Sequence, residues 1–128
     1  MNLLLDSHTF IWMHNEPSKL STKAAREIVV LSNTLFLSIA SIWEIQIKIQ
    51  IGKFNFKDSL ANVIAEQQKK NGLQILPINL LHILELENLP FHHKDPFDRL
   101  LIAQANVENM TLVSSDPVFS TYSVNLLW

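Results

Sequence analysis

The sequence predicts an α/β domain with a mainly parallel sheet of four to five strands. Three observations lead there. Short apolar runs alternate with longer amphipathic ones, the pattern of βαβ units. The amphipathic runs open on residues that cap helices, such as Ser21, Asp58, Asn79 and Asp95. The 128 residues suffice for one domain, residues 1–128, with its own core.

The elements follow in order. Leu3 to Leu5 is a short apolar run stopped by Asp6, as a buried strand is. Thr9 to His14 reads as a short helix that ends near Pro17. Ser21, with Leu20 before it as a staple, opens a helix to about Leu31. Thr34 to Ser38 is the second strand. The segment Ile42 to Ile51 fits two periods. Ile45, Ile47, Ile49 and Ile51 alternate with polar residues, as in a strand. At ~100° per residue, Ile42, Ile45 and Ile49 fall on one side of a helix, and Trp43, Ile47 and Ile51 on another. Helix is the better reading: Ser38 and Ser41 are good starts, Gly52 is a good stop, and the run exceeds a usual strand. A helix apolar on two sides is either buried or shared between core and partner. Asp58 caps a helix running to Gly72, and Gln74 to Ile78 is the third strand. Asn79 caps a helix through Glu87. Asp95-Pro96 starts a helix to about Glu108, with proline at its first position. Met110 to Ser114 is the fourth strand and Val124 to Leu127 a weaker fifth.

Composition removes several functions. With 0 cysteines there is no disulfide framework, thiolate zinc site, iron–sulfur cluster or cysteine nucleophile, which fits a reducing cytoplasm. A formal net charge of −2 argues against coating nucleic acid by bulk charge and leaves room for a local basic patch. Charged residues are 17%, below the usual ~25%, so much of the chain is buried or paired with a partner. The start Met1-Asn2-Leu3-Leu4-Leu5-Asp6 lacks a basic region, so no secretory signal is expected. No stretch approaches the ~18 apolar residues of a membrane span. The histidines show no HExxH spacing, and the loop pair His92-His93 reads as solvated, so no zinc site is expected.

In a parallel sheet the strands end, and most helices begin, along one edge, where ligands bind. Four acids project onto that edge. Asp6 follows the first strand, Glu44 lies near the start of the helix after the second, Asp98 sits in the first turn of the helix opened by Asp95-Pro96, and Asp116 follows the fourth strand. Singly, each has an ordinary explanation. Asp6 and Asp116 suit turns, Ser41 to Glu44 fits a capping box with Lys48 as an i,i+4 partner, and Asp98 suits a helix start. Together they would repel by about 1–4 kcal/mol per pair at ~4 Å. A cluster of this kind calls for cations, and an all-oxygen set suits Mg²⁺ or Mn²⁺. Ions on such a rim activate water, hold a phosphodiester and stabilise the leaving oxygen. Lys48, Lys53, Lys94 and Arg99 are close enough in sequence to supply a basic patch.

At these residues the chain resembles PIN-domain ribonucleases, specifically the VapC-type toxins of toxin–antitoxin pairs. The likeness spans essentially the whole chain. It is carried by Leu3-Leu4-Leu5-Asp6-Ser7-His8-Thr9 with Trp12, by Ser38 to Ile45 with Lys48 and Gly52-Lys53, by His92 to Ala105, by Leu112 to Asp116 and by Leu126-Leu127-Trp128. The stretch Asp95-Pro96-Phe97-Asp98-Arg99-Leu100-Leu101-Ile102-Ala103-Gln104-Ala105 is the most specific part. The resemblance implies a three-layer α/β/α sandwich. It implies that Asp6, Glu44, Asp98 and Asp116 bind Mg²⁺ or Mn²⁺ and hydrolyse RNA, with Asp95 as the helix cap. Ser114 would stand near the metal, Ser7 would assist by hydrogen bonding, and Lys48 and Arg99 would contact substrate. It further implies a cytoplasmic homodimer, inhibited by a small antitoxin that lays a peptide over the active-site groove. The target RNA and the number of ions stay open.

Other readings fit less well. A haloacid dehalogenase-type phosphatase needs an acid two residues after Asp6, where His8 stands. A receiver domain needs a lysine after the late strand, where Ser115 and Asp116 stand. A dinucleotide-binding module needs a glycine-rich turn, and only Gly52 and Gly72 exist. The rival from another class is a non-catalytic module that binds RNA or protein through the acidic rim.

Overall fold

Leu3, Leu4 and Leu5 are all fully buried, and a strand apolar on both faces belongs in the middle of a parallel sheet. The computed structural model, which describes residues 1–128, places it there. This strand, β1 (Asn2–Leu5), lies between β2 (Thr34–Ser38) and β4 (Thr111–Val113). The edges are β3 (Gln74–Leu76) and β5 (Leu126–Leu127), giving the order β3-β2-β1-β4-β5 with every pairing parallel. Leu5 sits beside Leu37 on one side and Val113 on the other. The chain builds outward from β1 to β3, then returns to the far side of β1. The strand order therefore reverses between β1 and β4, where a crevice opens at the carboxyl ends of the strands.

Two apolar clusters, one per sheet face, make the sandwich three-layered. Leu3, Leu5, Leu35 and Leu37 pack with residues of α1 (Ser7–Asn15), α2 (Thr22–Ile28), α3 (Ile39–Gln50) and α4 (Leu60–Asn71), including Phe10, Ile28, Ile45 and Val63. Leu4, Phe36 and Leu112 face α6 (Pro96–Glu108) through Leu101 and Ile102, with Phe119 beside them. The short α5 (Leu80–Glu85) rests on α6, where buried His82 meets Glu108 and Gln104. No helix is long and apolar enough to cross a membrane.

The isoleucine-rich segment is helical through Gln50, and Ser38 is its cap: its Oγ accepts from the Ala40 N–H at 3.0 Å. Ser41 lies inside the helix, so the expected capping box at Ser41–Glu44 does not form, and Glu44 makes no ion pair with Lys48. Helix α1 starts at Ser7 rather than Thr9, because Asp6 accepts from the Thr9 N–H at 2.8 Å. Helix α2 stops at Ile28 rather than Leu31. Asn33 Nδ2 donates to the Glu27 carbonyl there, and β-branched Ile28, Val29 and Val30 favour helix weakly. Ser59, not Asp58, caps α4. Asp58 instead accepts from Asn62 Nδ2 and the Ser59 N–H, which hold its carboxyl below the usual range. Gly72 ends α4 in the left-handed region at φ 66°, as expected of a C-cap glycine. Helix α5 gives way at Leu86 to a tight turn through Asn88, short of the expected Glu87 end.

Candidate active site

The crevice at the strand ends holds a pocket of about 150 Å³ lined by Asp6, Glu44, Asp95, Asp98 and Asp116. All four expected acids meet there, with Asp95 as a fifth. Ser7, His8 and Lys48 complete its polar wall.

Local structure explains each position. Asp6 follows β1 directly. Its N–H continues the ladder to the Val113 carbonyl at 3.2 Å, which locks it beside the end of β4. Its two carboxylate oxygens take the Thr9 N–H and the Ser114 hydroxyl. Ser114 Oγ in turn accepts from the Asp116 N–H at 3.0 Å, so one hydroxyl couples the first and last acids. Glu44, one turn into α3, accepts from the Ser7 hydroxyl. Asp95 caps α6 by accepting from the Phe97 and Asp98 N–H groups, at 2.9 and 3.0 Å. Asp116 caps the turn at Pro117–Thr121 through the Val118 N–H.

Burial, reinforced by the Asp95 carboxylate, pushes Asp98 up to about 6; Glu44 adds to the effect, and a hydrogen bond from His93 opposes it. As placed, no three of the His, Asp and Glu side chains stand close enough together to hold one ion. The carboxylates are spread around the pocket, as like charges are. The crowding on Asp98 is of the kind a divalent cation relieves, and the all-oxygen donor set is the one Mg²⁺ or Mn²⁺ prefers.

A family model described as the PIN domain matches residues 3–125. The chain belongs to the PIN domain family. Solved structures share the fold of this PIN domain. VapBC2 from Rickettsia felis, bound to a DNA fragment from its promoter, matches with a TM-score of 0.76 at 18% identity, over 99% of this chain and 98% of the other. DNA-bound VapBC from Salmonella typhimurium matches with a TM-score of 0.69 at 14% identity, over 99% and 97%. VapBC-1 from nontypeable Haemophilus influenzae gives 0.64 at 16% identity, over 99% and 97%. No curated protein matches the sequence.

Within the PIN domain, one sequence-based expectation is corrected. Arg99 is not at the rim. It is buried, its Nη1 donates to the Pro90 carbonyl at 2.7 Å and to the Tyr122 hydroxyl at 3.2 Å, and its guanidinium lies 4.1 Å from the Phe91 ring centre. It pins the loop before α6 and has no free face for substrate. Lys94 is exposed and lines no part of the carboxylate pocket.

The residue that sequence reasoning missed is His93. Its Nε2 lies 3.1 Å from Asp98 Oδ2 and its Nδ1 lies 2.7 Å from the Tyr122 hydroxyl. The Tyr122 oxygen already accepts from the His93 N–H and from Arg99, so its one proton goes to Nδ1. That fixes the proton of the neutral ring on Nε2, facing Asp98. Nothing in the His92-His93 doublet signals this, because the contact depends on Tyr122, 29 residues on.

Proposed function

We propose that this PIN domain is a divalent-metal-dependent endoribonuclease, the toxin of a toxin–antitoxin pair. The observation that carries the reading is the gathering of Asp6, Glu44, Asp98 and Asp116 in one pocket at the switch point of the sheet. No thiol is present to act as nucleophile, and no side chain is assigned that role.

Asp6, Glu44, Asp98 and Asp116 would hold Mg²⁺ or Mn²⁺. The cation supplies Lewis acidity, which acidifies water and neutralises charge that develops on the phosphodiester. The chain orients the donors. Ser114 and the Thr9 N–H fix the Asp6 carboxylate, Ser7 fixes Glu44, and His93 fixes Asp98. Asp95 holds the helix end that presents Asp98 and adds negative charge without leaving its cap. Lys48, in the same wall, offers a cation to the substrate phosphate.

Partners follow from the same reading. The VapBC structures that share the fold support an antitoxin for this chain, and its promoter DNA as the target of such a complex. A second copy of the chain is supported by the apolar face of α5, where Leu80 and Leu81 are 69% and 62% exposed.

The test is cleavage of total cellular RNA by wild type and Asp98→Asn with Mg²⁺, with Mn²⁺ and with EDTA. Discrete metal-dependent fragments from wild type are expected. The variant, which removes a ligand rather than an outer contact, falls by more than about 100-fold. Absence of cutting by folded wild type with either ion, together with unchanged binding of RNA by Asp98→Asn, would favour the non-catalytic module.

A further inference from the structure

Beside the carboxylate pocket lies a second groove of about 370 Å³, and His8 and Lys48 line both. Residues of α1 and α3 and of the segments that follow each of them form this groove. Its cations are Lys19, Lys48 and Lys53, and its aromatic side chains are Trp12 and Phe54. Glu16 is the one carboxylate in the wall, and Lys19 engages it at 3.2 Å. The groove thus carries a net excess of two positive charges (three lysines less one glutamate) in a chain of net charge −2.

A nucleic-acid strand centred on the carboxylate pocket must leave it over one wall or another. Toward Asp95 and Asp116 it meets further negative charge. Toward α1 it meets lysines and an aromatic ring. Trp12 is half-buried and braced by Trp128, with ring centres 5.9 Å apart, so its position is set before any ligand arrives. Lys19 Nζ sits 5.8 Å from the Trp12 ring centre, and its side chain is 51% exposed, free to give way to a base.

We propose that this groove is the subsite for the single-stranded RNA that flanks the scissile phosphate. Lys48 and Lys53 take its backbone phosphates, and one unstacked base packs on Trp12. Lysines that track a backbone beside an aromatic platform are the usual means of holding single strands without reading sequence. A paired base cannot reach Trp12, so the subsite selects unpaired RNA. The proposal rests on the nuclease reading above, and its test is built to fail separately.

The probe is a short fluorescein-labelled oligouridylate in EDTA, with anisotropy followed over a series of KCl concentrations. Wild type is expected to bind, more weakly as salt rises. Lys48→Ala with Lys53→Ala is expected to weaken binding and flatten the log–log salt slope by about 1.4, from two phosphate contacts at ~0.7 each. Trp12→Ala is expected to weaken binding about tenfold, and Trp12→Phe, which keeps an aromatic face, to restore most of it. An unchanged slope in the lysine variant overturns the proposal. So does Trp12→Phe binding as poorly as Trp12→Ala. A wild-type preference for poly-L-glutamate of matched charge would overturn it in favour of an acidic protein segment. If metal-dependent cleavage is lost in Asp98→Asn but these groove variants bind normally, the nuclease reading stands and the subsite falls. If wild type neither cuts nor binds RNA, both fall.

Discussion

Asp98 is held between opposing influences. Burial and the neighbouring Asp95 and Glu44 carboxylates favour its protonated form, and His93 favours the ionised one, leaving it at about 6. An acid whose folded value lies above its ordinary 3.8 binds its proton more tightly folded than unfolded. That contribution to stability is complete at pH below the ordinary value and is lost as pH rises through about 6. In metal-free protein Asp98→Asn should therefore gain on wild type between about pH 4 and about pH 7, by on the order of 2 kcal/mol. Urea titrations at the two pH values check this, and a pH-independent difference would refute it. His93→Ala removes the donor to Asp98 and should cost about 10–100-fold in Mn²⁺ affinity and in cleavage, with His93→Gln recovering part of both. At this scale the acids were legible in the sequence, as were Ser7 and Ser114 beside them, and the His93 support of Asp98 was not. Asp6, Asp98 and Asp116 announce themselves by following strands or opening a helix. His93 and Arg99 take their roles from Tyr122, a residue that local pattern cannot connect to either.

Two helix starts set the site. Ser38 caps α3 from a fully buried position, and the cap fixes the turn that carries Glu44. Ser38→Ala should cost about 1 kcal/mol in denaturant unfolding. Asp95 does two things at the start of α6, capping it and crowding Asp98. Asp95→Ser separates them. The cap survives, so the stability of the helix should change little, while the Asp98 carboxyl should titrate closer to its ordinary value, as read by carbon-detected NMR. Most elements were visible from period and caps, including the isoleucine-rich helix that also fits a strand pattern. Its two apolar sides have different fates: Ile45 is fully buried, while Trp43 is 61% exposed and stands edge-on against Phe97. The errors lie at boundaries such as the end of α2, where the Asn33 side chain, reaching back six residues to the Glu27 carbonyl, decides the stop.

Across the whole molecule, the alternation of strands and helices was enough to anticipate the parallel sheet, because hydrogen-bonded parallel strands need helical crossovers between them. The strand order was not, since runs of leucine do not say which strands they lie beside. The apolar face of α5 also belongs to this scale. If two copies pair through this face as proposed, Leu81→Asp should shift sedimentation to the monomer with little change in the fold, because the side chain is 62% exposed. The sheet order has a consequence for synthesis. Of the five strands of the sheet the central one is made first, and Leu5 completes its pairing only with Val113. The pocket likewise needs both Asp6 and Asp116. Such distant contacts form late and slowly. A ribosome making this chain would therefore carry, for most of elongation, a polypeptide with no assembled acidic centre. Under the proposed nuclease activity, that delay would keep an unfinished chain from cutting the RNA of the machinery that makes it.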